Sequence, residues 1–450
     1  MEQRIPNIVY VYAIFGGLAG LLYGFDSGAI SPALPFITEE FGLSPSGQGL
    51  IVSFLLLGAL PAIVLSTSLS KVLGRKSLLI GAGLTFIIGS IGCAFATSES
   101  VLIWSRFILG IGCGIANMCS LIYLVELAPP KIRGFIGALY QLSVNVGILS
   151  AYIVGASLTD SGAWRLMLGI GLIPAAIFTI GMLMSPESPR WLLTVGKEER
   201  ARKVLMKLRG SKKEVEDEIR DINNSLKLQT AGFKHLFGQY KSILNMTLIL
   251  TFFQVFTGIN AVVYFAPIIF EGVDINGWSG SNVANFGVGI ALVVSTAISL
   301  FIVDKLGRKT LLIYSIGGQV LPLLGLALLS DNMLLSMICV FLYVFAFGIG
   351  LGPVFWLFIP EVFPLQARAI GMGVITFSQY TLNFLFSYTF PQLLGVIGNN
   401  VFLIYAVLSV VACVYIHYKT PETKGKTLEE IEGYWREKST AKTYKAVKEA

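Results

Sequence analysis

A carboxylate and a guanidinium stand inside stretches that are otherwise apolar. Asp26 falls in Leu22-Tyr23-Gly24-Phe25-Asp26-Ser27-Gly28, and Arg106 is followed by Gly110, Gly112 and Gly114. On insertion scales a charge at the centre of an apolar helix costs about 2.5–3.5 kcal/mol, so one that persists there is paired or functional. A nearby cation favours the ionised carboxylate, and burial favours the neutral one. A carboxyl whose balance between these terms changes as a protein opens and closes can carry a proton. Amides recur in similar surroundings: Gln141, Gln254, Asn260, and Gln379 with Asn383 one helical turn apart. Trp356 follows Gly352-Pro353 in another apolar run. A lone buried amide ordinarily bonds a neighbouring helix. Neither His235 nor His417 has a nucleophile or metal-ligand pattern beside it, and no Gly-x-x-x-x-Gly-Lys-Ser/Thr loop occurs. The reading is therefore of a protein that is not an enzyme, with no metal, no cofactor and no ATP as driver.

The elements that must position these side chains are set by composition. The 450 residues are 54% hydrophobic and 13% charged, with mean hydropathy +0.74, against about 25% charged in a soluble domain. That much apolar surface must face lipid. A crossing takes roughly 20 apolar residues, and about six such runs occur in each half of the chain. They extend from Val9–Ala33 to Trp164–Met184 and from Ile243–Phe270 to Val401–Tyr418. The expected fold is an all-α membrane protein of twelve transmembrane helices. Gly352-Pro353 is expected to kink its helix.

Charge sets the expected orientation. Lys and Arg gather in Lys71–Lys76, Lys131–Arg133, Arg190–Lys241, Lys305–Lys309, Arg368 and the tail, while the intervening loops lack them; Arg106 and Arg165 break the pattern. The positive-inside bias then puts both termini and the central block in the cytosol. The same distribution argues against nucleic acid as the partner of the +7 net charge. Cys93, Cys113, Cys119, Cys339 and Cys413 all lie in apolar runs and read as small core residues. Short loops and the lack of a targeting extension point to a multi-pass protein of a bacterial cell membrane.

The chain also repeats itself. Gly74-Arg75-Lys76-Ser77-Leu78-Leu79-Ile80 returns as Gly307-Arg308-Lys309-Thr310-Leu311-Leu312-Ile313. Glu126, Pro129 and Arg133 return as Glu361, Pro364 and Arg368, and Pro186-Glu187-Ser188 returns as Pro421-Glu422-Thr423. Three echoes in one order indicate a parallel duplication. The implied parts are an N-terminal six-helix bundle (1–186), a linker with short amphipathic helices (187–241), a C-terminal six-helix bundle (242–420) and a tail (421–450).

These signatures, with Asp304-Lys305-Leu306-Gly307-Arg308-Lys309 and Pro186-Glu187-Ser188-Pro189-Arg190, resemble those of the sugar porters of the major facilitator superfamily. The likeness covers the chain from about Phe15 to Ile431. It implies two six-helix bundles with a monosaccharide site between them and alternating access; a monomer is expected. In proton-coupled members, Asp26 matches the protonation residue and Arg106 its partner. Sugar contacts match Gln141, Gln254, Asn260, Trp356 and Gln379, with Asn383 one turn beyond, and Tyr264 matches an outer gate. Amides suit hydroxyl groups without charging a pocket, and an indole suits a sugar's apolar face. Arg75, Glu126, Arg133, Glu187 and Arg190 in one half, and Arg308, Glu361, Arg368 and Glu422 in the other, match a cytosolic charge network.

The sequence departs from that pattern at Lys71, where an acid is usual, at Val255 in place of a second glutamine, and at Leu292 in place of an asparagine. Lys71 is expected to weaken the first half's charge set. Ile148 resembles the choice of hexose facilitators. The expected function is a proton-coupled monosaccharide symporter, for a hexose such as glucose. The alternatives are a facilitative uniporter of the same fold and, in another class, a sugar sensor, which the short tail disfavours.

Overall fold

At membrane depth a helix satisfies every backbone N–H and C=O within its own segment, so the apolar runs become helices. The computed structural model describes residues 6–129, 133–209, 211–226, 233–270, 274–275, 278–329, 332–425, 430 and 435. α1 (Asn7–Phe41), α2 (Pro45–Leu73), α3 (Arg75–Ala94), α4 (Glu99–Leu127) and α5 (Arg133–Leu158) each cross once. The sixth crossing is divided into α6 (Trp164–Gly169) and α7 (Leu172–Met184). α8 (Pro189–Thr194), α9 (Glu198–Arg209), α10 (Lys212–Leu226) and α11 (Phe233–Phe237) lie in the linker. The seventh crossing is broken into α12 (Lys241–Phe256) and α13 (Ile259–Ile269), and a two-residue hairpin, β1 (Asp274–Ile275) with β2 (Trp278–Ser279), follows. α14 (Gly280–Leu306) and α15 (Arg308–Leu328) come next, then a tenth crossing split into α16 (Met333–Ile349) and α17 (Leu351–Val362).

The last apolar stretch, Gln366–Lys419, would make a rod of about 80 Å at 1.5 Å per residue, far more than a bilayer core. It is two crossings, α18 (Leu365–Ile397) and α19 (Val401–Lys419), separated by a short 3₁₀ turn at Gly398–Asn400. With the other ten among the described residues, this gives the twelve helical crossings that the sequence predicts.

Local chemistry fixes the helix starts. Ser44 accepts a hydrogen bond from Gly47 N ahead of Pro45 at the first position of α2, Ser98 accepts one from Val101 N to open α4, and Asn332 accepts one from Leu335 N to open α16. The outward faces stay apolar. Phe301, Leu321 and Val396 are more than three-quarters exposed, as lipid-facing side chains are.

The tenth crossing breaks at Gly350, just upstream of the expected Gly352-Pro353. Proline's ring clashes with the carbonyl four residues back and its nitrogen donates nothing, so the distortion falls on the turn before it. Pro353 itself sits in the first turn of α17, where the missing N–H costs little.

Contacts gather the chain into two compact units that cut across its sequence halves. The first unit is Met1–Leu228 with Asn260–Val293 and Asn383–Gly398. Its second piece is tied in by buried polar bonds: Ser31 Oγ donates to Asn285 Oδ1 (3.1 Å), Tyr152 Oη to Val263 O (2.8 Å) and Asn145 Nδ2 to Leu292 O (3.4 Å). The second unit is Gln229–Ile259, Val294–Leu382 and Asn399–Ala450.

The linker helices are amphipathic. Ala201, Leu205 and Leu208 on α9 and Val215 and Ile219 on α10 are buried at helical spacing, and most of them cluster with Trp191 and Leu192. Arg209 anchors them. Its Nε donates to Glu218 Oε2 (2.6 Å), and its Nη1 donates to Leu127 O (2.8 Å) at the C-terminus of α4, where carbonyls lack helical partners.

Candidate functional site

Asp26 on α1 and Arg106 on α4 face each other, with 3.6 Å between Oδ1 and Nη1. Arg106 is 1% exposed. Its Nε donates to Ile51 O on α2 at 2.7 Å, so a backbone carbonyl holds the guanidinium in place independently of the carboxylate. Among the described residues, neither Asp26 Oδ2 nor Arg106 Nη1 has a hydrogen-bond partner. The pair is close enough for strong attraction in a low-dielectric setting but lacks the fork-to-fork bonding that would lock the charge. Such a carboxylate can be neutralised without dismantling its surroundings, because Arg106 keeps its bond to Ile51.

The amides fall in both contact units. In the first, Gln141 is half-buried on α5, and Asn260 on α13 donates from Nδ2 to Asn383 Oδ1 on α18, 123 residues away. Tyr264, one turn beyond Asn260, is 5% exposed and stands edge-on to Phe265. In the second unit, Gln254 on α12 and Gln379 on α18 are buried, and Gln254 Oε1 has no partner among the described residues. Trp356, on α17, is half-buried and packs edge-on against Phe355 at 5.1 Å. Val255 and Leu292, the two departures, are buried apolar groups, and Ile148 is buried on α5.

The charged repeats make the same set of contacts in both halves. Glu187 Oε1 accepts from Arg75 N and Lys76 N (both 3.1 Å) at the start of α3 and from Ser188 N (2.8 Å). Glu422 likewise accepts from Arg308 N (2.9 Å), Lys309 N (3.1 Å) and Thr423 N (2.9 Å) at the start of α15. Each carboxylate sits where a helix N-terminus presents free N–H groups. Arg75 pairs with Glu126 (Nε–Oε2, 3.1 Å), and Arg308 pairs with Glu361 (Nη2–Oε1, 2.9 Å). Ser188 Oγ and Thr423 Oγ1 then donate to Glu126 and Glu361, each at 2.5 Å. These two hydroxyls were not singled out in the sequence, although the third letter of each Pro-Glu-Ser/Thr carries them.

Arg368 donates to Phe363 O at 3.4 Å, and Arg190 is exposed at the start of α8. Arg133 opens α5, but its side chain lies outside the described residues, as does most of the tail beyond 425. Removing Glu187 strands three N–H donors. Glu187→Ala should cost about 1.5–3 kcal/mol, seen as a thermal midpoint several degrees lower in detergent. Glu187→Gln, which keeps an acceptor, should lose less than half of that.

The halves differ at Lys71. Asp304 pairs with Arg308 one turn on (3.0 Å), whereas Arg75, with a lysine at the equivalent place, donates from Nη1 to Ser70 O instead (3.1 Å). The Lys71 carbonyl accepts from Trp191 Nε1 (2.9 Å), so its backbone is still tied to α8. An exposed i,i+4 pair is worth about 0.3–0.5 kcal/mol. Lys71→Asp should therefore change the sugar exchange rate by no more than about twofold.

The chain matches the family model described as "Sugar (and other) transporter" over residues 11–435. It is 36% identical to the glucose transporter GlcP of Staphylococcus epidermidis, covering 96% of this chain and 99% of that one. It is 35% identical to the galactose-proton symporter of Escherichia coli K12, covering 94% of each. The solved structure of the xylose transporter XylE from E. coli in its inward-open conformation superposes with a TM-score of 0.82 at 28% identity, covering 95% of this chain and all of that one. Relatives of this kind are transporters and not enzymes. The chain belongs to the sugar (and other) transporter family, the sugar porters of the major facilitator superfamily.

Proposed function

We propose that this chain is a proton-coupled monosaccharide symporter, for a hexose such as glucose, working by alternating access in a cell membrane with both termini in the cytosol. The carrying observation is the Asp26 carboxyl group opposite a guanidinium that Ile51 O already holds. In this reading Asp26 is the proton carrier, and Arg106 senses its charge. A carboxylate with no coupling role would be an idle cost at that depth. Gln141, Gln254, Asn260, Gln379 and Asn383 supply hydrogen bonds to sugar hydroxyls, Trp356 supplies a face for the ring, and Tyr264 gates access. Gln254 Oε1, buried and with no hydrogen-bond partner among the described residues, supports this, because buried acceptors are ordinarily bonded. The bond between Asn260 and Asn383 would open when sugar takes its place. The twin charge clusters act as latches on the cytosolic side. Relatives described as proton symporters of galactose and arabinose support the coupling, and a relative described as a glucose transporter supports the hexose.

The test is uptake of labelled glucose, galactose, fructose and xylose into proteoliposomes, with and without an inward proton gradient. Accumulation of one sugar above its external concentration, and only with the gradient, is the expected result. Equilibration that ignores the gradient would make the protein a uniporter. Binding of a sugar with no flux would make it a sensor.

A further inference from the structure

The breaks of the seventh and tenth crossings, at Thr257 and Gly350, each receive a hydroxyl from a neighbouring helix. A helix break strands backbone groups in a setting without water to satisfy them. In an unbroken helix, Gly350 N would donate to Ala346 O and Leu351 N to Phe347 O. Here Gly350 N donates to Phe347 O instead, at 3.3 Å. The two vacated places go to one side chain of α15: Ser315 Oγ donates to Ala346 O (2.7 Å) and accepts from Leu351 N (2.8 Å). Ser315 is 2% exposed, and a Cβ at residue 350 would lie 2.6 Å from Leu311 O, so only glycine lets α15 come this close.

The other break receives one such bond, to a carbonyl. Between α12 and α13, Thr257 O accepts from Tyr343 Oη at 2.9 Å, and Tyr343 is fully buried on α16. Tyr343 and Ala346 are three residues apart, so α16 carries on neighbouring positions the donor that completes one break and the carbonyl that completes the other.

We propose that Ser315 and Tyr343 are positioning residues. They hold the two breaks open, and through α16 they set the places of Gln254, three residues before Thr257, and Trp356, six residues after Gly350. The inference rests on the sugar-contact reading of those two side chains. The Ser315 bonds are needed only while the tenth crossing is broken. Straightening it would restore the helical ladder and leave the hydroxyl redundant. Ser315 therefore favours the broken form, and Trp356 takes its sugar-facing position in that form.

The test is Ser315→Ala, with Ser315→Thr as the rescue and Tyr343→Phe as the partner variant. Amide hydrogen exchange is followed over 346–354 and 254–262, and sugar exchange in proteoliposomes gives KM and kcat. Ser315→Ala should speed hydrogen exchange over 346–354 about tenfold, raise KM at least fivefold and change kcat less. Ser315→Thr should restore both readouts. Tyr343→Phe should speed exchange first over 254–262. The proposal is overturned if Ser315→Ala leaves hydrogen exchange over 346–354 as in the parent, whatever it does to transport, or if Thr fails to rescue. If the parent transports none of the sugars, the sugar reading fails. The hydrogen-exchange arm then still decides whether Ser315 holds the break.

Discussion

Asp26→Asn should abolish gradient-driven accumulation and leave downhill flux and sugar exchange intact. One proton per sugar, moving down about two pH units, is worth about 2.7 kcal/mol, or accumulation up to about 100-fold. The amide is nearly isosteric with the carboxyl group but cannot exchange a proton, so the ratio should fall to unity. Arg106 keeps its 2.7 Å bond to Ile51 O in that variant, so the fold should survive. Arg106→Leu is different. It leaves Asp26 as a buried charge without a partner and Ile51 O without its donor, a loss of about 3–5 kcal/mol. The expected result is poor expression and a lower thermal midpoint. Adding Asp26→Asn should recover part of the stability, because the stranded charge is gone. Accumulation persisting in Asp26→Asn would remove it as the proton carrier. A double variant no better than Arg106→Leu alone would show that the two side chains are not coupled.

Gly49→Val should reduce transport by about 5- to 150-fold in a protein that still inserts and folds. Gly49, on α2, packs against the backbone of α18. An added Cβ would overlap the Tyr388 carbonyl oxygen and lie 3.1 Å from its carbon and 3.2 Å from its Cα. Backbone cannot rotate away as a side chain does, so α18 must move or α2 must tilt. Overpacking ordinarily costs about 1–3 kcal/mol. Here it falls on a contact between the first and last thirds of the chain, so it biases the conformational equilibrium as well as the stability. The matched control is Gly81→Val on α3, where an added Cβ meets nothing within 4 Å among the described residues; it should transport as the parent does. Reaction of a cysteine at position 48 with a membrane-impermeant reagent should be faster in Gly49→Val. Equal labelling and equal flux in the two glycine variants would show that the α2–α18 seam has no part in transport.

Much of this was legible in the sequence because it depended on residue type against background. Asp26 and Arg106 were visible as charges in apolar runs, and the structure brings them to 3.6 Å. The duplication was visible because Glu187 and Glu422 serve the same helix starts, so the same letters recur at both places. Features that depend on which helix lies against which were not legible. Nothing in the letters separates Gly49, which meets backbone, from Gly81, which faces open space. Ser315 and Tyr343 read as ordinary members of apolar helices, because their hydroxyls matter only through carbonyls 31 and 86 residues away. The tenth crossing broke at Gly350 and not at the Gly352-Pro353 pair, because proline distorts the turn before it. The partnering of Asn260 with Asn383 needs a third-dimension neighbour that spacing along the chain does not give.

The first contact unit is not complete until Asn383–Gly398 joins it. At about 5–20 residues per second, that stretch leaves the ribosome roughly ten to thirty seconds after Leu228. Through that interval the nascent chain has inserted its first six crossings but lacks the Tyr388 backbone that packs on Gly49, whereas Val263 and Leu292, the partners of Tyr152 and Asn145, emerge earlier. The Gly49 seam is therefore the last of these to close, and it is where quality control meets an unfinished molecule. A chain truncated just before Asn383 should be inserted but rapidly degraded, whereas one truncated after Gly425 should persist.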